Sequence, residues 1–404
     1  MAKSIFYITI VALILSISKT TNLPVDYFLV FLTIYFAVMY QKMINIKVLI
    51  LFGSWVLINL LSYFYFGRNP NWINVLVYGC NFLILPFYLL YVYKFSILNH
   101  LERCFFILTL ISIPLFILNI TFESQFNSLA PILSKITNPN LVKGSPVYWT
   151  IGFYTNGIRI NYADFSLLRN CGFMWEPGYF GVIIIWSIIF NWLTKGVILN
   201  KRFWIYALAL ITTFSTSSYF ALLVLFIAFA MRMRISVIRF MLLAVLLVFF
   251  FANIYSLDFM SGKIEKYNAN TEHKYVNELN SIKLNRFQIG LYDIQRIAKY
   301  PLGYGLNNRI SLDGEVDVTG VNGLSGLLIM WGIPAFFILL YLLYKYLKLL
   351  NLANNKNLLI GLFYISLLIV FMSQDIQRNI LFYLLIISPI VLKQNNEKKY
   401  IRQI

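Results

Sequence analysis

The chain has 404 residues, of which 60% are hydrophobic, 18% aromatic and only 12% charged, and its 33 Lys and Arg outnumber 15 Asp and Glu for a net charge of +18. Soluble domains carry about 25% charged residues, so this balance excludes a soluble enzyme, and no soluble basic face for nucleic acid is visible. The three cysteines, Cys80, Cys104 and Cys171, suggest no disulfide framework, and with only His100 and His273 there is no metal-ligand spacing.

A hydrocarbon core of about 30 Å takes roughly 20 apolar residues per helix, and runs near that length recur along the whole chain. The pattern predicts an all-α polytopic membrane protein, a single membrane domain over residues 1–404 with about 12 transmembrane segments. In chain order these are 4–18, 26–40, 46–66, 73–93, 104–122, 177–194, 203–215, 218–231, 238–257, 321–344, 357–373 and 379–392. The first resembles a signal peptide, with Lys3 before an apolar stretch. With so many spans following, it is expected to stay as the first helix.

Residues 203–231 are ambiguous. They run without a charge between Lys201-Arg202 and Arg232-Arg234. One long helix puts these basic ends on opposite faces, whereas a break at 215–218 returns both to the same face. The positive-inside rule decides. With the break, and with both termini in the cytoplasm, 18 basic and two acidic residues fall inside, against 15 basic and 13 acidic outside. The nets are +16 and +2, so the basic pI is a topology signal and a match to anionic inner-leaflet lipid.

This topology leaves two large outer loops, about 123–176 and 258–320, while cytoplasmic connections are short. Long loops tend to carry function, which puts the working face outside. In the first loop, Val147–Thr155 and Ile158–Phe165 flank Asn156-Gly157, predicting a hairpin with a type I′ turn. The loop leads through Arg169 to Glu176-Pro177 at the head of a helix, where a proline and a carboxylate suit a helix start. In the second loop, Phe287, Leu291, Ile294 and Ala298 recur at helical spacing, with Asp293, Arg296 and Lys299 supplying a polar side. An amphipathic helix at the membrane surface is expected there, ended by Pro301-Leu-Gly303-Tyr304-Gly305.

Three segments, in order, now resemble a family. The first is Arg169-x-x-Gly172-x-x-x-Glu176-Pro177-Gly178-x-Phe180-Gly181, the second Thr213–Ser217 between two short apolar segments. The third is Arg286, the amphipathic helix, and Pro301-Leu-Gly-Tyr-Gly305-x-Asn307-Asn308, before a helix that starts near Asn322 and carries Gly332-Ile-Pro. Together they resemble the Wzy-type O-antigen or capsule polymerases of the O-antigen polymerase/ligase superfamily. The resemblance implies a GT-C-like glycosyltransferase in the bacterial inner membrane, acting on the periplasmic face. Such enzymes move glycan from undecaprenyl pyrophosphate to the non-reducing end of another lipid-linked repeat unit, without nucleotide sugar, cofactor or metal. Its expected partners are lipid-linked oligosaccharides, membrane lipid and a chain-length regulator. The alternatives are an O-antigen ligase or a lipid-linked oligosaccharide flippase. Ligases carry a His-Asn pair where this chain has Val321-Asn322, and a flippase is expected to show charges within its spans and short outer loops.

The reaction requires that a pyrophosphate leaving group be held. Arginine suits that role, because its planar fork matches phosphate oxygens and keeps its charge. Arg169 and Arg286 are therefore the first catalytic candidates. Glu176 is the third, as a base or orienting group for the acceptor hydroxyl, with helix capping or pairing to Arg169 as its structural alternatives. Arg159, Arg296, Arg309, Tyr304 and Asn322 are candidates to line the glycan groove. Ser215–Ser218 reads as a packing device, and Gln374–Arg378 reads as a short outer turn.

Overall fold

A computed structural model describes residues 2–21, 23–40, 45–128, 154–156, 158–161, 166–196, 200–232, 275–276, 281–283, 286–307, 309, 317–319, 322–351 and 355–392. The protein is helical. In chain order the helices are α1 (Ala2–Ser18), α2 (Val25–Met39), α3 (Ile46–Phe66), α4 (Trp72–Gly79), α5 (Leu85–Tyr93), α6 (Ser96–Thr121), α7 (Glu123–Ser128), α8 (Pro177–Lys195), α9 (Lys201–Thr212) and α10 (Thr216–Arg232). After them come α11 (Arg286–Lys299), α12 (Gly323–Leu350), α13 (Asn357–Met372) and α14 (Ile380–Val391). Helices thus cover eleven of the twelve apolar segments. The remaining one, 238–257, lies outside the described residues.

Among the described residues, five helices are long and apolar enough to cross a membrane, namely Ile46–Phe66, Trp72–Tyr93, Ser96–Thr121, Pro177–Lys195 and Gly323–Leu350. The second of these is α4 and α5, joined by a π turn at Cys80–Ile84. Pro86 follows directly, and its missing N–H accounts for the irregular turn. The outward faces carry large apolar side chains such as Phe31, Phe64 and Phe337. So much exposed apolar surface is the mark of a protein solvated by lipid. The centre is α8, buried on every side from Pro177 to Leu193, as an all-round apolar helix must be.

Residues 203–231 do break. α9 stops at Thr212, Phe214 takes φ 46°, and α10 starts at Thr216. At its start, α9 touches α6, where Arg202 Nη1 meets Glu102 Oε2 at 2.5 Å. At its end, Thr212 O accepts from Asn170 N at 2.9 Å, just ahead of α8. α10 then runs back, since Ser218 lies against Gly181 near the head of α8 and Ala221 O accepts from Ser366 in α13. Lys201, Arg202 and Arg232 therefore share one end of the bundle. Glu102 is locked there by Asn191 Nδ2 at 2.6 Å and the Tyr206 hydroxyl at 3.0 Å as well as by Arg202.

A second break shapes α12. Gly332 has φ 75° and ψ 170° within the helix, two residues before Pro334. Breaking a helix in lipid frees backbone groups that must find partners. They find them in the turn after α11, where Ile333 N donates to Pro301 O at 2.9 Å and Ile329 O accepts from Tyr304 N at 2.7 Å. Gly303, at φ 98°, lies against the Gly332 backbone. The turn is clasped from the other side by α3, whose Ser62 hydroxyl donates to Tyr304 O and whose Asn59 Oδ1 accepts from Leu306 N, both at 2.9 Å.

The loops contain short strands. β1 (Ile158–Asn161) pairs antiparallel with β2 (Ser166–Arg169), Ile158 opposite Arg169. Among the described residues the partner of β1 is the strand that follows it, while most of the expected first strand, 147–153, and the expected turn residue Gly157 lie outside the described residues. Asn156 is buried, and its Oδ1 accepts from Asn119 Nδ2 at 3.0 Å at the end of α6. In the second loop, β3 (Tyr275–Val276) and β5 (Asp317–Thr319) flank β4 (Ser281–Lys283), antiparallel and parallel respectively. β4, α11 and β5 thus form a small β-α-β unit that the sequence reading did not anticipate.

The break in α12 makes a stability prediction. A Cβ at Gly332 meets the Leu302 backbone in a conformation that only glycine adopts easily, so Gly332→Ala lowers stability by about 2–3 kcal/mol. Gly361→Ala, in the open middle of α13, is neutral or stabilising by up to about 1 kcal/mol. Thermal unfolding of the two variants in detergent checks both.

Candidate functional site

The candidate site lies where β2, α8, α9, α11 and α12 bring their ends together. Arg169 closes β2, and its Nε donates to Thr213 O at 2.9 Å. That carbonyl is one of those left unpaired where α9 stops, and a cation suits the negative end of a helix. The side chain is half-buried. Among the described residues, nothing hydrogen-bonds its Nη1 or Nη2. Burial lowers its pKa, Cys171 and Glu176 act to raise it, and Arg286 acts to lower it. An arginine nonetheless keeps its proton.

Glu176 directly precedes α8, but its carboxylate makes no capping bond to the helix. Its partner is Arg286, 110 residues away, with Nη2 at 2.8 Å from Oε1. Both expected structural roles, capping and pairing with Arg169, are therefore replaced by a bond across the two loops. The side chains are 38% and 21% exposed, so solvent and ligand have access to the pair. Arg286 is the first residue of α11, and its carbonyl accepts from Asn322 Nδ2 at 3.2 Å. Asn322 also caps α12, accepting from Ser325 N. The three catalytic candidates thus converge, and Asn322 stands behind Arg286.

The glycines of the first motif permit close packing beneath this site. A Cβ at Gly178 falls on the Gln374 amide, and one at Gly181 falls on the Ser218 hydroxyl. Ser217 continues the joint, with its hydroxyl 2.8 Å from that of Ser373. The hydroxyl stretch is a packing device, as expected.

Other groove candidates are placed differently. α11 has Leu291 and Ile294 exposed, as suits an amphipathic helix at a membrane surface, while Asp293 and Arg296 are buried. Arg296 Nη2 pairs with Asp293 Oδ1 at 2.7 Å, and the Ser325 hydroxyl donates to Asp293 Oδ2 at 2.5 Å. A carboxylate and a guanidinium that satisfy each other bury more cheaply than either alone, and the apolar side faces outward. Burial raises the Asp293 pKa, against Arg296 and the Ser325 bond, which lower it. Arg296 is thus buried beside Asp293, which ties α11 to Ser325 of α12. Tyr304 is also buried, donating to Arg296 O at 3.2 Å and stacking on Phe66. Burial pushes its hydroxyl pKa up to about 12. Arg309 is exposed. Arg159 contributes backbone to β1 opposite Leu168, and its side chain lies outside the described residues.

The sequence reading placed Gln374–Arg378 on an outer turn but did not join that turn to Lys19 and Tyr179. Gln374 is fully buried at the turn between α13 and α14, and Asp375 O accepts from the Tyr179 hydroxyl. Lys19 lies 5.5 Å from the Tyr179 ring. Burial lowers the Lys19 pKa, Asp375 raises it and Arg378 lowers it. The signal was present as charges abutting three helix ends, but nothing in the sequence says that those ends meet. Among the described residues no His, Cys, Asp and Glu group is arranged to hold a metal. Comparisons with protein-family models, curated proteins and solved structures return no match.

The two ion pairs differ in a measurable way. Asp293→Ala breaks a buried ion pair and costs about 3–5 kcal/mol. A double-mutant cycle on Glu176 and Arg286, solvent-accessible as they are, yields about 1 kcal/mol or less. Unfolding midpoints of the five proteins, in detergent, test the contrast.

Proposed function

We propose that this chain is a glycosyltransferase of the Wzy polymerase type, extending a polysaccharide from lipid-linked repeat units on the outer face of a bacterial inner membrane. The observation that carries the reading is the convergence of Arg169, Glu176 and Arg286, in which one arginine offers two unengaged nitrogens beside an exposed ion pair. Charge sorting and the turn between α9 and α10 support the outer placement of this end. The motif resemblance supplies the substrate class.

The proposed chemistry uses the pair as an exchangeable latch. A pyrophosphate offers Arg286 more oxygens than the single contact with Glu176, and forked contacts to phosphate are strong. Arg169, held through Nε, presents Nη1 and Nη2 to the same group. Arg286 then turns to the substrate, and the released Glu176 carboxylate accepts the hydrogen bond of the acceptor hydroxyl. The hydroxyl oxygen bonds to the anomeric carbon of the donor sugar as the bond to the carrier oxygen breaks. The electron pair of that bond leaves with the pyrophosphate, where both arginines stabilise it. The acceptor proton passes to Glu176 and on to water. Asn322 fixes the backbone from which Arg286 swings.

Deletion of the gene tests the reading. Gel analysis of surface polysaccharide from the mutant is expected to show single repeat units without a ladder, and complementation with Arg286→Ala leaves that pattern unchanged. A full ladder in the deletion strain contradicts the proposal. Absence of any exported repeat unit points to a flippase, and polymer retained on the carrier points to a ligase.

A further inference from the structure

The bundle carries a groove that the catalytic reading does not use. It runs between α3 and the half of α12 beyond the Gly332 break, with a volume of about 450 Å³. Ser54, Leu57 and Leu61 line it from α3, and Pro334, Ile338 and Leu342 face them from α12. These positions recur every three or four residues, so each helix gives one continuous face. Pro389 and Ile390 of α14 add to the lining, as do Trp331 and Leu302 near the break. At the other end the groove meets Lys47, in the first turn of α3, and Lys345, near the end of α12.

The dimensions and the charge select an occupant. From Lys47 to Leu61 the groove is about 20 Å long at 1.5 Å per residue. That exceeds one leaflet, about 15 Å of the 30 Å core, but falls short of the full core that a partner helix must cross. The walls are apolar apart from Ser54, and the mouth is cationic. Among the described residues, neither lysine has a carboxylate partner. Of the two acids assigned to that side, Glu102 is engaged by Arg202, Asn191 and Tyr206, and Glu397 lies outside the described residues. Lys345 Nζ is 4.6 Å from the Tyr341 ring, an aromatic–lysine arrangement suited to the headgroup level. Paired basic residues between membrane helices on the basic side are the setting in which anionic headgroups are held.

We propose that this groove binds one phospholipid with an anionic headgroup, its phosphate between Lys47 and Lys345 and an acyl chain along α3 and α12 as far as Leu302. The site is separate from the Arg169–Glu176–Arg286 cluster, and it stands whether or not the polymerase reading does.

The test uses the full-length chain in detergent, titrated with phosphatidylglycerol or with phosphatidylcholine and read by native mass spectrometry. Wild type is expected to bind phosphatidylglycerol more tightly than phosphatidylcholine. Lys47→Gln with Lys345→Gln weakens phosphatidylglycerol binding about 30-fold, at about 1 kcal/mol for each lysine, and leaves phosphatidylcholine binding unchanged. Ile338→Trp, which keeps both charges but fills the groove, weakens phosphatidylglycerol binding as well. Equal binding of the two lipids by wild type overturns the proposal, as does undiminished phosphatidylglycerol binding by the double variant or by Ile338→Trp.

Discussion

Two membrane helices stop short of their natural continuation, and the backbone groups each break leaves behind dictate where the outer loops go. A carbonyl or N–H in a lipid-solvated bundle has no water to turn to. At the end of α9, the Thr212 and Thr213 carbonyls are taken by Asn170 and Arg169. At Gly332 in α12, the freed groups are taken by Pro301 and Tyr304. Each loop is therefore pinned to the bundle by a break it satisfies. The first pin sets Arg169 and, seven residues on, Glu176. The second fixes the end of α11, whose beginning carries Arg286. The Asp293–Arg296–Ser325 set then holds α11 on α12, and Glu176 and Arg286 join the two loops.

The helical frame was legible in the sequence because hydropathy and length are what a bilayer reads. A break between 203 and 231 was legible through the basic residues at its two ends, since only a reversal sorts them to one side, but it falls at 213–215, and Thr216–Ser218 of the expected break at 215–218 begin α10. The motifs were visible too, but their physical meaning was not. Pro301–Gly305 reads as a helix stop. That it also replaces the missing bonds of a helix about 30 residues later depends on a contact no local pattern encodes. The same limit applies to two further contacts: Asn119 of α6 holds the Asn156 amide, and Asp293 of α11 finds Ser325 and Arg296.

The candidate site shows the same division. Residue chemistry picked out Arg169, Glu176 and Arg286 one by one, each as a costly charge beside a membrane helix. It paired Glu176 with the wrong arginine, because sequence proximity favours Arg169 and the distant Arg286 is invisible without the fold. Arg296 and Tyr304 looked like open groove residues for the same reason, whereas the fold buries both. Lys19 went unnoticed and Asp375 was read only as part of an outer turn, since each alone is an unremarkable charge at a helix end.

The central claim is that Arg169 and Arg286 together receive a lipid-linked pyrophosphate while Glu176 is released to the acceptor. Chain extension in proteoliposomes, with purified undecaprenyl-pyrophosphate-linked repeat units as the sole substrate, measures it most directly. Wild type is expected to make polymer from that substrate alone, and Arg169→Ala, Arg286→Ala and Glu176→Gln each to slow extension by about 100-fold or more while remaining folded. Wild-type rate and polymer length in all three variants would contradict it.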